Sequence, residues 1–377
     1  MTARPRPTIL SLGTAQPQHT MTQADAIELA KIICCRTDQE RNLVQALYRR
    51  AGVRERRTAL PHTIAYQWLR VPVATGDGSV LPDDEPTACV GPTTAERMAF
   101  YREHAPILAV QAAAKALAES GVAPGDITHV VTVTCTGFDA PGVDVALIEQ
   151  LGLRSTTERI QVGFMGCHGA VNGIRAALPL VEADPSRRVL LCAVELCSLH
   201  FSFTWDPARA VGNAVFADGA AALVLGSETD DRPGEAPRWH PRATGSCLIP
   251  NSTDAMSWSI GDHGFEMVLS PRVPDLIAAH LRPWLEDWLA GHGLTLAEIG
   301  SWAVHPGGPR IVSAVEKSLG LDASATAVSR EVLAECGNMS SPTILFILER
   351  LTRSQAKRPC VALGFGPGLT AEAALFD

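Results

Sequence analysis

Short apolar runs that alternate with helix-like stretches constrain this chain more than any other feature of its sequence. The runs are rich in Val, Ile and Leu with little polar alternation, as is typical of strands buried on both faces of a sheet. They fall at residues 8–12, 129–134, 159–164, 189–196, 220–225, 302–305 and 360–365. Helix-like stretches fall at residues 22–33, 96–120, 143–151, 169–182, 272–291, 309–320 and 342–353. Strands that alternate with helices predict a layered α/β fold.

Length and composition narrow the possible functions. The chain has 377 residues, 46% apolar and 19% charged, enough for two domains or one large α/β unit. No run approaches the ~20 apolar residues of a membrane-spanning helix. A net charge of −8 argues against a general nucleic-acid or membrane-surface binder, although a local basic patch can still hold a polyanion. A polar, Pro-rich stretch predicts two halves, 1–228 and 242–377, joined by a linker at 229–241.

The cysteines indicate a reducing compartment. All ten are spread through the chain without a Cys-x-x-Cys pair, and the opening residues contain no apolar stretch of signal-peptide length. We therefore expect a cytoplasmic protein whose reduced thiols mostly pack as small hydrophobic side chains. The adjacent Cys34 and Cys35 cannot easily chelate one metal, and no metal site is predicted.

Cys167 is the first candidate catalytic residue. It lies in Gly166-Cys167-His168-Gly169, where a predicted strand gives way to a helix of small residues. Glycine on both sides allows a tight turn and close approach of a substrate. The helix N-terminus would lower the pKa of the thiol, as expected of a nucleophile. The alternative is a structural cysteine buried at a helix–strand contact.

His305 and Asn338 are the second and third candidates. His305 ends a short apolar strand and is followed by Pro-Gly-Gly-Pro, at the strand end where α/β proteins usually bind ligands. Asn338 precedes the helix predicted from 342, so it could cap that helix, or it could donate into a cavity if Ser340 or Ser341 were the cap. Both residues could instead be buried and structural. No carboxylate is similarly placed to orient the histidine, which argues against a hydrolytic triad.

A fourth motif, Gly-Phe-Gly-Pro-Gly at 364–368, follows the last predicted strand. It lacks the lysine and the spacing of a phosphate-binding loop. It predicts either a rigid loop lining a cavity or a plain tight turn.

Taken together, these motifs resemble the chalcone and stilbene synthase family, the type III polyketide synthases, and specifically a bacterial-type member. The resemblance rests on GCHGA at Cys167, HPGGP at His305, GNMSSP at Asn338 and GFGPG at 364–368, with CTGFDAPG at 135–142 and VFADGAAALVLG at 215–226 in the same order. It implies a thiolase-like five-layered α/β/α/β/α fold built from two similar halves, with Cys167 in the first and His305 and Asn338 in the second. It also implies a homodimer that condenses malonyl-CoA with an acyl-CoA starter and needs no cofactor.

The resemblance also assigns site residues. Cys167 would carry the acyl group, while His305 and Asn338 would stabilise the thiolate and the thioester oxyanion and promote decarboxylation. Substrate-binding positions would be Phe216 (an aromatic gate), Met267, His200, Cys135, Trp258, Gly366, Pro367 and Ser340. CoA-binding positions would be Arg54, Arg56, Arg57 and Gly307.

Four positions depart from the plant enzymes of the family. The bulky His200 and Trp258 would shrink or reshape the cavity, whereas Met267 and Ala140 would open other sides. We therefore expect a small aromatic or pyrone product rather than a plant-type chalcone. Two alternatives remain: another thiolase-like condensing enzyme, of the initiating ketoacyl synthase or hydroxymethylglutaryl-CoA synthase type, and a non-catalytic relative.

Overall fold

The computed structural model describes residues 6–68, 91–228 and 238–377. Its strands are β1 Arg6–Ala15, β2 His19–Thr22, β3 Glu55–Thr58, β4 His129–Thr134, β5 Glu158–Gly163, β6 Val189–Leu196, β7 Asp218–Glu228, β8 Pro241–Leu248, β9 Met256–Gly261, β10 Gly264–Leu269, β11 Ser301–Val304, β12 Cys360–Gly366 and β13 Thr370–Phe376. Its α-helices are α1 Gln23–Ile33, α2 Asp38–Arg49, α3 Ile64–Gln67, α4 Thr94–Ser120, α5 Val143–Leu151, α6 Gly169–Ala183, α7 Pro207–Val215, α8 Val273–Ala290, α9 Pro309–Leu319, α10 Ala327–Cys336 and α11 Thr343–Arg353. None of the described helices is both long and apolar enough to cross a bilayer.

Two mixed sheets organise the chain. The first has the strand order β1-β7-β6-β4-β5, in which β4 runs parallel to β5 and β6. The second has the order β11-β12-β13-β8, in which only the β11–β12 pair is parallel. Two antiparallel strand pairs, β2–β3 and β9–β10, lie outside these sheets.

The helices complete five layers. Helices α4 and α5 cover the outer face of the first sheet, α6 and α11 pack between the two sheets, and α8 and α9 cover the outer face of the second. The layer order is therefore α/β/α/β/α, which confirms the predicted thiolase-like fold.

Helix α4 illustrates how local sequence sets these elements. Thr93 and Glu96 form a reciprocal capping box at its start, and Gly121, with φ 72°, ends it in the left-handed conformation. Its small buried alanines allow β1 to approach so closely that a Cβ on Gly13 would lie 2.5 Å from the backbone nitrogen of Ala116.

The structure confirms the seven predicted strands and seven predicted helices to within a few residues, but the sequence analysis missed others. Strand β13 was missed because its Ala- and Glu-containing sequence favours helix. The carboxylate of Glu372 in this strand is buried and paired with Arg175, so tertiary contacts override local propensity. Residues 229–237 of the predicted linker lie outside the described residues, and Pro241, assigned to the linker, begins β8.

Candidate active site

Cys167 lies in the turn between β5 and α6, as predicted. A short 3₁₀ turn carries the thiol, and Gly166 there has φ 71°. A Cβ on Gly166 would lie 2.5 Å from the ring of Pro367, and one on Gly169 would lie 2.9 Å from the side chain of Val133. Both glycines are therefore required by close approach of neighbouring segments.

The pKa of the Cys167 thiol is raised to about 11, so the predicted lowering is wrong. Burial is the main cause, since the residue is only 9% exposed and desolvation disfavours the thiolate. The neighbouring Ser340 hydroxyl, which also lies 3.4 Å from the Cys135 sulfur, and the Asn338 amide act in the opposite direction, and the Glu195 charge raises the pKa further. The helix N-terminus alone does not offset this burial, so a thiolate here needs a proton acceptor.

His305 supplies a buried imidazole. The residue is 1% exposed, and its backbone N–H donates to the Leu363 carbonyl of β12 at 2.7 Å. Neither ring nitrogen has a hydrogen-bond partner among the described residues, and burial lowers the pKa of the ring to about 3. The charge of His168, the neighbour of Cys167, lowers that pKa further. Buried polar groups without partners are rare, so this neutral ring is a candidate for contact with a substrate or the thiol.

Asn338 is fixed by backbone bonds on both sides of Phe216. Its N–H donates to the Val215 carbonyl at 2.8 Å, and its carbonyl accepts from the N–H of Ala217 at 2.9 Å. The side-chain oxygen accepts from the N–H of Ser340 at 2.8 Å. With the oxygen occupied in this way, the amide N–H groups remain as donors towards the thiol.

The capping interpretation of this loop is wrong. The N-cap residue of α11 is Pro342, and it has no side-chain cap. Ser341 does not cap either, because its hydroxyl donates to the carboxylate of Glu195 at 2.6 Å. The loop instead presents Asn338 and Ser340 to the nucleophile.

Glu195 is a site residue that the sequence analysis missed. It is fully buried at the end of β6 and accepts bonds from the Cys135 N–H at 2.9 Å and the Thr136 hydroxyl at 2.7 Å, besides that of Ser341. Burial raises the pKa of its carboxyl group. The available signal was a single acidic residue inside an otherwise apolar strand.

Two adjoining cavities extend from the thiol. A pocket of about 20 Å³ is lined by Cys167 together with Cys135, Thr136, Gly166, Ser340, Pro367 and six further residues. A larger cavity of about 260 Å³ lies beyond it. The residues that line both are Cys197, Phe216, Trp258 and Met267. Phe216 and Met267 thus lie between the thiol pocket and the larger space.

His200 and Trp258 form a rigid aromatic wall. The Nε2–H of His200 donates to the Thr136 carbonyl at 2.7 Å, while its Nδ1 accepts the backbone N–H of Phe265 at 2.9 Å. The two rings of His200 and Phe265 stack with centroids 4.2 Å apart. Trp258 donates its indole N–H to the Cys135 carbonyl at 2.7 Å. Burial lowers the pKa of His200 to about 3, so the ring is neutral and its tautomer is fixed by its two backbone partners.

Two other cavity predictions have different outcomes. Gly366 and Pro367 pack against the nucleophile turn, where a Cβ on Gly366 would overlap the ring of His168. Ala140 is exposed and lines neither cavity within this chain, and its predicted effect on the cavity across a dimer stays a prediction.

The predicted CoA residues are in different environments. Arg56 is 1% exposed, and its guanidinium donates to three backbone carbonyls, those of Asn213, Ala214 and Phe216. A phosphate contact for Arg56 is therefore wrong, because the side chain is a buried structural donor. Arg54, with 68% of its side chain exposed, pairs with Glu335 at 3.1 Å. Within the described part of the chain, the Arg57 guanidinium makes one long bond of 3.5 Å to a backbone carbonyl. Gly307 donates its N–H to the carbonyl of His305 at 3.1 Å and lines neither cavity.

The structure therefore brings the predicted catalytic residues to one region without joining all three. Asn338 interacts directly with the Cys167 thiol. His305 makes no hydrogen bond to it, although Gly364, next to the backbone partner of His305, packs against His168. No carboxylate in the described ranges hydrogen-bonds to the imidazole.

This fold, with a buried cysteine, an asparagine and a histidine at the strand ends, is typical of a thiolase-like condensing enzyme. The chain matches the profile of chalcone and stilbene synthases, N-terminal domain, over residues 1–229, and that of the C-terminal domain over residues 242–377. It belongs to the chalcone and stilbene synthase family, whose members are type III polyketide synthases, condensing acyltransferases that use CoA thioesters without a cofactor.

Individual relatives agree with this assignment. The chain is 34% identical over 375 residues to the alpha-pyrone synthesis polyketide synthase-like Pks18 of Mycobacterium tuberculosis, covering 98% of this chain and 90% of that protein. It is 32% identical over 368 residues to 1,3,6,8-tetrahydroxynaphthalene synthase of Streptomyces peucetius, covering 97% and 91%. Among solved structures, PKS-I from the brown alga Ectocarpus siliculosus superposes with a TM-score of 0.87 at 31% identity, covering 99% of this chain and 98% of that one.

Proposed function

We propose that this chain extends a starter acyl group, held as a thioester on Cys167, by repeated decarboxylative condensation with malonyl-CoA. The observation that carries the proposal is the buried thiol contacted by Asn338 and Ser340, near an unpartnered neutral His305 and beside a cavity. The two halves of the chain, 1–228 and 242–377, would supply the nucleophile and the two donors respectively.

In the loading step, His305 would accept the thiol proton and Cys167 would attack the starter thioester. The new C–S bond forms as the C–S bond to CoA breaks, and CoA leaves as the thiol after taking up the proton. The imidazole is neutral in the resting site and so has a lone pair for this proton, but burial lowers its pKa to about 3 and makes it a weak base until the thiolate lies beside it. The nearby thiolate would stabilise the resulting imidazolium.

In the extension step, the C–C bond to the malonyl carboxylate breaks, CO2 leaves and the electron pair forms an enolate. The amide N–H groups of Asn338 and an N–H of His305 would stabilise the developing oxyanion, so no strong base is required. The enolate carbon then attacks the thioester and expels the Cys167 thiolate, which leaves the longer chain on CoA, ready for reloading.

The product would be a small aromatic compound or a pyrone. Support comes from the limited space, about 20 Å³ at the thiol and about 260 Å³ beyond it, and from the wall formed by His200 and Trp258. The relative Pks18, whose name describes alpha-pyrone synthesis, favours a pyrone.

Arg54 and Arg57 would bind the CoA phosphates, and Gly307 would also contact CoA. The two arginines are exposed or half-buried, whereas Arg56 has its guanidinium bonded to backbone carbonyls. Replacing Glu335, the partner of Arg54, with Gln should lower the KM for CoA thioesters by releasing that cation.

A homodimer in the cytoplasm is the proposed state. Strand β5 is an edge strand with mostly exposed residues, and Ile160 within it and Phe138 and Met165 beside it are exposed apolar side chains. Such an edge is a site for pairing with a second copy. The nine described cysteines are all unpaired thiols, which suits a reducing compartment. Ile160→Lys should give a monomer in light scattering, and an unchanged mass would contradict this interface.

The test of function is incubation with radiolabelled malonyl-CoA and a panel of aliphatic, aromatic and no starters. We expect release of CO2 and a polyketide identified by mass, with the polyketide lost in Cys167→Ala. Full condensing activity in that variant would overturn the proposal. Activity only with malonate on a carrier protein would indicate an initiating ketoacyl synthase, and absence of any acyl adduct on Cys167 by intact mass would indicate a non-catalytic relative.

A further inference from the structure

A continuous run of aromatic rings joins the surface turn after β4 to the cavity wall. Phe138, 42% exposed, has its ring centroid 5.6 Å from that of Phe164. The ring of Phe164 in turn meets Phe265 edge-on at 5.8 Å, and Phe265 contacts both His200 and Trp258. The last three residues line the larger cavity, whereas Phe164 lines neither cavity.

The backbone of Phe164 is unusual. Its φ is 61°, in the left-handed region, where a bulky side chain is rarely found. Strained residues of this kind persist only where the surroundings hold them, and they cluster at functional sites. Phe164 directly follows β5 and precedes Cys167 by three positions, and its N–H is fixed by the Thr134 carbonyl at 3.0 Å. The strained residue is thus part of the turn that carries the nucleophile.

Phe164 can affect the larger cavity through its contact with Phe265. Phe265 is 4% exposed, stacks on His200 and donates its backbone N–H to the His200 ring, so the position of Phe265 fixes that of the imidazole. Because protein interiors are close-packed, loss of the Phe164 ring would leave a void into which Phe265 can relax.

We propose that Phe164 is a positioning residue for product selection. Its ring holds Phe265, and through Phe265 the imidazole of His200, at the wall of the cavity, and so limits the size of the acyl chain that the cavity accepts. This inference rests on the proposed polyketide synthase activity, but the positioning role can also be tested without turnover.

The test compares Phe164→Gly, Phe164→Leu and Phe265→Ala, singly and combined, using product masses from malonyl-CoA and one starter. Glycine tolerates the left-handed backbone and leucine does not, so an effect shared by both variants is due to the ring. We expect each to raise the ratio of longer to shorter products about tenfold, the discrimination that a hydrophobic pocket gives for about one methylene. In the Phe265→Ala background, Phe164→Gly should add no further shift.

Phe376→Leu is the matched control, because it removes a fully buried ring that packs on Trp239, which lines neither cavity. It should lower the melting temperature without moving the product ratio. An unchanged ratio in both Phe164 variants, or a full additional shift in the Phe265→Ala background, would overturn the proposal. A shift with Leu but not with Gly would show that backbone conformation, and not the ring, sets selection.

A second readout separates this inference from the proposed function. The rate of Cys167 alkylation by N-benzyl iodoacetamide, divided by that with iodoacetamide, should rise in Phe164→Gly even if the wild type makes no polyketide. If the wild type is inactive but this ratio rises, the proposed function fails and the positioning role stands. If the wild type is active and neither the product ratio nor the alkylation ratio changes in the variants, only the positioning role is refuted.

Discussion

The two buried imidazoles of the site predict a specific dependence of stability on pH. Burial lowers the pKa of both His200 and His305 to about 3, against 6.5 for an exposed ring. Between these two values the unfolded chain binds a proton on each ring and the folded chain does not. The stability of the folded state is therefore fully present above pH 6.5 and falls as the pH drops towards 3, by ~1.4 kcal/mol per pH unit for each ring.

Replacing either imidazole with phenylalanine should remove one group that the unfolded chain protonates and the folded chain does not. His200→Phe and His305→Phe should each show a pH slope of the unfolding free energy that is smaller than that of the wild type by ~1.4 kcal/mol per unit between pH 6 and pH 4.5. Asp218, whose pKa burial raises to about 6, contributes with the opposite sign, so the comparison is between variant and wild type at each pH.

At pH 7.5 the two variants should differ in their effect on the free energy of unfolding. His200→Phe keeps a ring against Phe265 but leaves the Thr136 carbonyl and the Phe265 N–H unpaired, a cost of about 1–3 kcal/mol for each group. His305→Phe loses no hydrogen bond and removes two unsatisfied nitrogens, so its stability should be equal to that of the wild type or higher.

The measurement is urea unfolding followed by tryptophan fluorescence at pH 7.5, 6, 5 and 4.5 and one fixed protein concentration. A His200→Phe variant with the slope of the wild type would show that the folded protein carries a protonated His200, which would refute the neutral, tautomer-locked ring. A large loss of stability at pH 7.5 in His305→Phe would show that the imidazole has bonding partners in solution.

Three further changes test the surroundings of the site. Glu195→Gln should speed alkylation of Cys167 by iodoacetamide at pH 7.5 by about tenfold or less, because the carboxylate charge raises the thiol pKa, and a slower reaction would contradict this. Trp258→Ala should join the two cavities and lengthen the polyketide seen by mass spectrometry, whereas an unchanged product would show that this wall does not limit size. Arg56→Met should lower the free energy of unfolding in urea by about 3 kcal/mol or more, because three backbone carbonyls lose a charged donor. Arg54→Ala should raise the KM for CoA thioesters and leave the free energy of unfolding unchanged. The reverse pattern would show that Arg56, and not Arg54, binds CoA.

The parts of the site that could be predicted from sequence are those fixed by local chemistry. Glycine on each side of Cys167 and the Pro-Gly-Gly-Pro after His305 mark turns at strand ends, and strand ends in an α/β protein converge. The same logic located the loop of Asn338. These residues appear where predicted because backbone geometry is encoded within a few positions of each one.

What could not be predicted depends on burial by distant segments. Arg56 lies in a basic stretch that suggests a solvated face, yet it is buried because carbonyls around α7 surround its guanidinium. The raised pKa of Cys167 likewise results from packing and from Glu195 on another strand. Desolvation of this kind is a sum over many contacts, and no short sequence pattern records it.

The electrostatics of the resting site also imply when the thiolate forms. Burial opposes the charged form of both partners, since it raises the pKa of Cys167 and lowers that of His305. Moving one proton from sulfur to nitrogen creates two buried charges, and their attraction offsets the desolvation only if the two atoms come close. His305 makes no hydrogen bond to the thiol in the resting arrangement, so the neutral pair is favoured there. Approach of the imidazole to the sulfur when a CoA thioester fills the pocket would therefore both create the nucleophile and restrict it to the time when substrate is present, which protects the thiol from oxidation between turnovers.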